Sequence, residues 1–424
     1  MEPMNHHQKL AHYNINKRAA LITIMLAIFI DVLGYSMILP LLPSIAQGVF
    51  GASNFTIGIL IASNALSAFI FAPIWGKLSD IYGRKPMFII AQLGTLASFL
   101  MLGFSNSLEM IFLSRILDGV FGGQIPIIRA YIIDITDTKT RSSEMARITG
   151  AMAFGMIFGP AIGGLTGVLN WRYPSFIAAV LSCISIALAL KFLVESMPLQ
   201  RRTDIKDRKK QNKLNGLSSK AVLRNKMVLL RLVQVFLVII AFIIINSSFP
   251  LVLGIRYGLD VAMIGIFASI AGVVMLFSGI FTKKLIKTHG EKIILIFALI
   301  LMVFTFMSYP FLYFVWMLWI FVFPYAFSNL VIRSIIITNI SKSVDEDQQG
   351  EASGWGTNMQ AVAQIFAPLL AYWYLELGTV EFAGLILDAY FLIGMTCVII
   401  TIALCVLILI DMKLNPEVFI MDED

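Results

Sequence analysis

Residues 76 to 86 read Gly76-Lys77-Leu78-Ser79-Asp80-Ile81-Tyr82-Gly83-Arg84-Lys85-Pro86, a charged break between the apolar runs 57–75 and 87–104. Runs of this kind are about 18 to 25 residues long, the length a helix needs to cross about 30 Å of hydrocarbon. Working outward from the break, further runs occupy 19–43, 108–133, 145–169 and 174–195, then 227–253, 262–282, 291–309, 311–339, 352–375 and 385–411. The pattern predicts an all-α membrane protein of about twelve transmembrane helices.

Composition agrees. The chain is 58% hydrophobic and 13% charged, against about 25% charged in an ordinary soluble domain, and no soluble fold hides so much apolar surface. The first run follows Lys17 and Arg18, carries Asp31 at its centre and leads to no small-residue cleavage site, so it reads as a retained span. Cys183, Cys397 and Cys405 lie inside apolar runs, which leaves no disulfide framework or zinc spacing. His6, His7, His12 and His289 fall in a tail or a loop without a second ligand cluster. No metal or organic cofactor is expected, no Gly-rich phosphate loop ends in Lys-Ser or Lys-Thr, and no nucleophile has a base beside it, so a membrane enzyme is not expected.

With the N-terminus placed inside, the outside loops hold only Arg172 and Arg256, and Arg115, Arg129 and Arg333 lie within spans. The remaining Lys and Arg then gather on the cytoplasmic side, as the positive-inside rule requires. Five segments follow: a cytoplasmic N-terminal tail 1–18, a first bundle 19–195, a basic cytoplasmic linker 196–226, a second bundle 227–411 and a cytoplasmic tail 412–424. The linker, basic from Arg201 to Lys226, suits anionic lipid headgroups, and the net charge of +7 needs no nucleic acid. The halves echo each other: Gly83 and Gly290 are 207 residues apart, Pro160 and Pro368 208, Pro40 and Pro250 210, and Arg129 and Arg333 204. Near-constant offsets indicate two pseudo-symmetric six-helix bundles, an arrangement that puts a substrate site at the midplane between them.

Several motifs carry chemistry. In the 76–86 loop, Gly76 and Gly83 permit a tight interhelical turn, Asp80 suits a helix N-terminus and Arg84, beside Lys85, is free for a carboxylate. The second-half copy at Lys283, Lys287 and Gly290-Glu291-Lys292 has Lys287 in place of the acid, so its clasp reads as degenerate or absent. Asp31 costs several kcal/mol in mid-span unless protonated, paired or hydrated, which makes it the leading proton carrier. Span 4 opens Arg115-Ile116-Leu117-Asp118-Gly119; Arg115 and Asp118 are three apart and pair, and on a continuous helix Arg115, Asp118, Gly122 and Arg129 share one polar stripe. Gly155, Gly159 and Gly163 recur every four residues around Pro160, a face for close helix approach or a hinge between the halves.

The 76–86 loop resembles the signature loop of the major facilitator superfamily, and Arg115 to Gly119 resembles another motif of that family. The resemblance implies that Asp80 meets the start of span 11, residues 350–354, and that Arg84 meets Asp134, forming a gate of Gly76, Asp80, Gly83, Arg84, Lys85 and Asp134. The span 5 run resembles the pattern of proton-driven exporters. Leu33 to Pro43, Tyr131 to Thr136 and Glu195-Ser196-Met197-Pro198 look like the twelve-span drug:proton antiporter branch, particularly tetracycline-efflux-like carriers. In the family, spans 1, 4, 7 and 10 line the cavity, which nominates Tyr35, Gln234, Asn246, Asn329 and Arg333, with Gln360 and Gln364 from span 11. The expected activity is export of a small amphipathic or drug-like compound in exchange for protons by alternating access, from a monomer in the plasma membrane, with Asp31, Arg115 and Asp118 as the coupling group. The alternatives are proton-linked transport of an anionic metabolite or a lipid and, from another class, a non-transporting membrane sensor of the same fold.

Overall fold

The computed structural model describes residues 17–197, 225–344, 348–382 and 384–419. Most of the expected linker and of both tails, with His6, His7 and His12, lies outside the described residues.

The fold is an all-α membrane bundle of long apolar helices. Span 1 is α1 (Lys17–Ile38), continued past a turn at Pro40 by α2 (Leu42–Phe50). Proline has no N–H to extend the helical ladder, so the turn sits where the residue dictates. Spans 2 and 3 are α3 (Asn54–Tyr82) and α4 (Arg84–Gly103); span 4 is two pieces, α5 (Leu108–Phe121) and α6 (Gln124–Ile135); spans 5 and 6 are α7 (Thr138–Leu169) and α8 (Tyr173–Phe192). The later spans are α9 (Lys226–Tyr257), α10 (Val261–His289), α11 (Glu291–Ser308), α12 (Val315–Lys342), α13 (Gln349–Leu377) and α14 (Ala389–Leu414). Among the described residues eleven spans are long and apolar enough to cross a membrane. The twelfth, α13, has the length but opens on the polar stretch from Gln349 to Gln360.

Two details depart from the expected pattern. The run that begins at 385 starts as a strand: β1 (Thr379–Phe382) and β2 (Leu385–Asp388) form an antiparallel hairpin, and the helix waits for Asp388, whose Oδ1 accepts from the N–H of Phe391 at 2.7 Å. Gly76 lies inside α3 and makes no turn, because the helix runs on to Tyr82. The turn belongs to Gly83 alone, at φ 106°, and its repeat partner Gly290 has φ 82°. Both values fall where an L side chain is strained.

The described residues group into two compact units. One combines 17–50 and 63–197 with Asp260–Ser269; the other combines Gly51–Ala62 and 225–259 with the described residues of 270–419. The division is therefore not a simple cut at the linker, because the first turns of spans 2 and 8 each group with the opposite set of helices. In the first unit, Ala20, Ile24 and Ile28 of α1 pack with Phe88 and Ala91 of α4 and with Ile128, Tyr131 and Ile132 of α6. The glycine face of α7 lies against α1: a Cβ on Gly155 would stand 3.0 Å from Leu33 N, and one on Gly163 only 2.1 Å from Met37 O. Gly155, Gly159 and Gly163 thus supply the close-packing face expected of them, with α1 as the helix they meet. In the second unit, Ile293, Phe297, Ile300 and Phe304 of α11 are exposed, an apolar surface that suits lipid contact.

Candidate functional site

Asp31 on α1 is half-buried, and it accepts a hydrogen bond from a residue at a helix break. Gly122 and Gly123 interrupt span 4, and Pro126 has no N–H to offer the carbonyl of Gly122, so α6 restarts at Gln124. From that first residue, Gln124 Nε2 donates to Asp31 Oδ1 at 3.2 Å and to Thr95 Oγ1 at 3.2 Å, while its Oε1 accepts from Gln92 Nε2 at 2.9 Å. Among the described residues Asp31 has no ion-pair partner.

Asp118 is held differently. Asn64 Nδ2 donates to its Oδ2 at 2.9 Å, Ser98 Oγ donates to its Oδ1 at 3.3 Å, and Arg115 Nη1 lies 3.4 Å from Oδ2. Arg115 and Asp118 are 3% and 6% exposed, so the expected pair forms in the interior. Thr95 and Ser98, three apart on α4, connect the surroundings of Asp31 with those of Asp118. The expected stripe on span 4 does not survive the break: Arg129 sits on α6, exposed, and is not continuous with α5. Tyr35 is half-buried on α1.

The 76–86 loop forms a compact knot. Arg84 Nη1 pairs with Asp80 Oδ1 at 2.8 Å and Arg84 Nε with Asp134 Oδ2 at 3.1 Å, and Ser79 Oγ accepts from Arg84 Nη1 at 2.6 Å. Glu195 caps α4 by accepting from the backbone N–H of Arg84 at 2.9 Å and of Lys85 at 3.2 Å. Ser196 Oγ donates to Asp134 at 3.2 Å, and Lys85 Nζ donates to Leu190 O at 3.0 Å. The Glu195-Ser196 string therefore has a definite task, to anchor the end of span 6 to this knot.

The second unit holds a counterpart with the charges exchanged. Lys342 Nζ, at the end of span 10, lies 3.6 Å from Glu291 Oε2 at the start of span 9. Glu291 follows Gly290 as Arg84 follows Gly83, and Lys342 stands 208 residues after Asp134. The second-half loop thus keeps one ion pair at these positions with both signs exchanged, while Lys287 stands in place of the acid. Lys342 also donates to Val418 O at 3.4 Å.

Beside it is a group the sequence did not announce. Arg231 and Asp411, each with a side chain 1% exposed, meet at 2.9 Å and again through Arg231 Nη2 and Asp411 Oδ1 at 3.0 Å. Arg231 Nη1 also donates to Asn339 O at 2.7 Å and to Ser343 Oγ. Arg231 is thus buried and paired inside the protein, where the sequence alone counts it with the basic residues outside the spans. Gln234, expected in the cavity, donates to Leu407 O at 3.2 Å and to Asp411 at 3.5 Å, which makes it part of this buried group.

Of the other expected cavity residues, Asn246 and Gln364 are exposed. Arg333 Nη2 donates to Gln360 Oε1 at 2.6 Å. Asn329 is 2% exposed, and neither its Oδ1 nor its Nδ2 has a hydrogen-bond partner among the described residues. The described residues contain no group of three or more His, Cys, Asp and Glu able to hold a metal ion.

The Major Facilitator Superfamily model matches residues 24–368. The chain is 27% identical to the class H tetracycline resistance protein of Pasteurella multocida, over 88% of this chain and 96% of that protein. It is 28% identical to Multidrug resistance protein 2 of Bacillus subtilis, over 84% of this chain and 89% of that protein. Among solved structures, the human organic anion transporter MFSD10 (TETRAN) aligns with TM-score 0.66 at 20% identity, covering 92% of this chain and 99% of that one. The D-xylose-proton symporter aligns with TM-score 0.70 at 16% identity, covering 92% and 96%.

Proposed function

We propose, from the premise that the chain belongs to the Major Facilitator Superfamily, that this membrane transporter exports a small amphipathic compound in exchange for protons by alternating access. The family and relatives are transporters and not enzymes, and the tetracycline and multidrug resistance proteins among them support export.

The observation that carries proton coupling is the contrast between two acids. Asp118 receives a guanidinium, an amide and a hydroxyl, and protonating it would break an interior ion pair. Asp31 receives one neutral amide from Gln124, so a proton can come and go there without stranding a cation. In this reading Asp31 carries the proton, Arg115 and Asp118 fix the geometry of span 4, and Gln124 reports the state of Asp31 to α6. The ion pairs around Arg84 act as the gate, with Glu291 and Lys342 as the counterpart in the other unit. The coupling ion is the proton, and the protein acts as a monomer in the plasma membrane with both termini cytoplasmic.

The test is proton flux in energised inverted vesicles on adding a panel of lipophilic cations and amphipathic acids, with wild type beside Asp31→Asn. Proton release on addition, absent in Asp31→Asn, is the expected result. Release that persists unchanged in the variant removes Asp31 from the coupling step.

A further inference from the structure

We propose that Arg333 is the anion-recognising residue for the transported compound, which is therefore an amphipathic organic acid with an aromatic or alicyclic body. This rests on the transport reading above and names its substrate class.

The argument begins with an uncompensated charge. Arg333 lies within the membrane-spanning helix α12, nine positions before its last residue Lys342, which is about 13 Å along the axis. The guanidinium has five donors and stays charged at any biological pH. Among the described residues its side-chain partner is the neutral Oε1 of Gln360, and no carboxylate pairs with it. The other interior arginines contrast with it: Arg84, Arg115 and Arg231 each lie within 3.4 Å of an aspartate. A cation inside a membrane helix with no counter-ion of its own is matched by one that arrives from outside the chain.

The surroundings specify more than charge. Asn329 precedes Arg333 by one turn and so shares its face; it is 2% exposed with both amide atoms unpartnered. An amide with a free N–H beside a guanidinium is a second donor for an oxyanion. Tyr325, a further turn back, stacks on Phe321 at 5.5 Å and on Phe242 at 4.7 Å. Going along α12, aromatic rings thus give way to an amide and then to a cation, within about 12 Å from Tyr325 to Arg333. That order matches a compound with an apolar ring system and an acid at one end. The side chain turns to Gln360 on the neighbouring helix instead of reaching along α12 towards its end, which argues against a lipid headgroup as the partner.

The experiment measures thermal stabilisation of the full-length protein in detergent by benzoate, naphthoate and anthracene carboxylate, each against its primary amide. Acids are expected to raise the melting temperature of wild type and the amides to leave it unchanged. Arg333→Gln should weaken the apparent affinity for the acids about tenfold or more, and Arg333→Lys by less, because a charged bidentate contact is lost or reduced. Gln360→Glu supplies a carboxylate to Arg333 in place. It should abolish the response to acids while the ligand-free melting temperature stays at or above that of wild type, so its loss of binding is not a folding defect. Because the melting shift is read in detergent without a gradient, failure of proton coupling is separated from failure of anion binding. Equal shifts in wild type and Arg333→Gln, equal shifts by acids and amides, no shift by any acid, or a shift by phosphatidylglycerol alone would each overturn the proposal.

Discussion

Asp411 receives two nitrogens of Arg231, the amide of Asn415 at 2.8 Å and the amide of Gln234 at 3.5 Å. Such a pair stabilises the fold only while both charges are present, since removing one leaves the other buried and unpaired. Arg231→Met or Asp411→Leu alone should therefore cost about 3 to 5 kcal/mol, whereas the double replacement should recover most of that loss. Unfolding of the detergent-solubilised variants measures it, and additive losses in the double variant would mean the two charges do not depend on each other. Sequence could not pair these residues, because they are 180 positions apart and each stands at the end of an apolar run. By contrast, Arg115 and Asp118 were legible, being three apart on one helix. Gln124, Gln92, Asn64 and Ser98 were not: a neutral polar side chain acquires a role only when one knows which helix face it occupies. Their nearest sequence signal was Gly122-Gly123 with Pro126, a break that makes Gln124 the first residue of a new helix.

At the level of elements, the periodic glycines of α7 were readable as a close-packing face, but not the helix they would meet. A Cβ at Gly159 would stand 2.8 Å from Leu33 O, one at Gly163 2.1 Å from Met37 O, and one at Gly150 would meet nothing within 4 Å. Gly159→Val and Gly163→Val should each cost about 1 to 3 kcal/mol through overpacking and slow transport, while Gly150→Val should leave both unchanged. A melting series of the three variants checks this, and a Gly150→Val as damaging as the others would count against the α1 contact. The inverted pair makes a second prediction at this scale. Glu291→Lys and Lys342→Glu should each reduce export several-fold, and the two together should restore it, because exchanging both charges keeps the attraction. Transport by the double variant no better than by the singles would deny the pair a part in gating. Helix ends were the least legible feature: Leu385 to Asp388 is as apolar as the span it precedes, yet pairs as a strand with Thr379 to Phe382.

For the whole molecule, the span lengths were legible because the bilayer imposes them, and the duplication because offsets of 204 to 210 residues recur. What drives transport follows from the same reasoning about charge. On the proposed reading the work of export comes from a proton gradient, with Asp31 as an interior acid that takes a proton without breaking an ion pair. One unit of pH corresponds to about 1.4 kcal/mol per proton, or about a tenfold concentration ratio of an exchanged solute. In inverted vesicles with the membrane potential clamped to zero, the logarithm of the accumulation ratio should therefore rise linearly with the imposed pH difference. Its slope is the number of protons exchanged, and a single carrier at Asp31 gives a slope of about one. In Asp31→Asn the slope should fall to zero while exchange of labelled for unlabelled solute continues, since equilibrative exchange needs the gate but no proton. A wild-type slope of zero would mean that the chain equilibrates its substrate, and Asp31 would then belong with Asp118 among the acids that hold the helices in place.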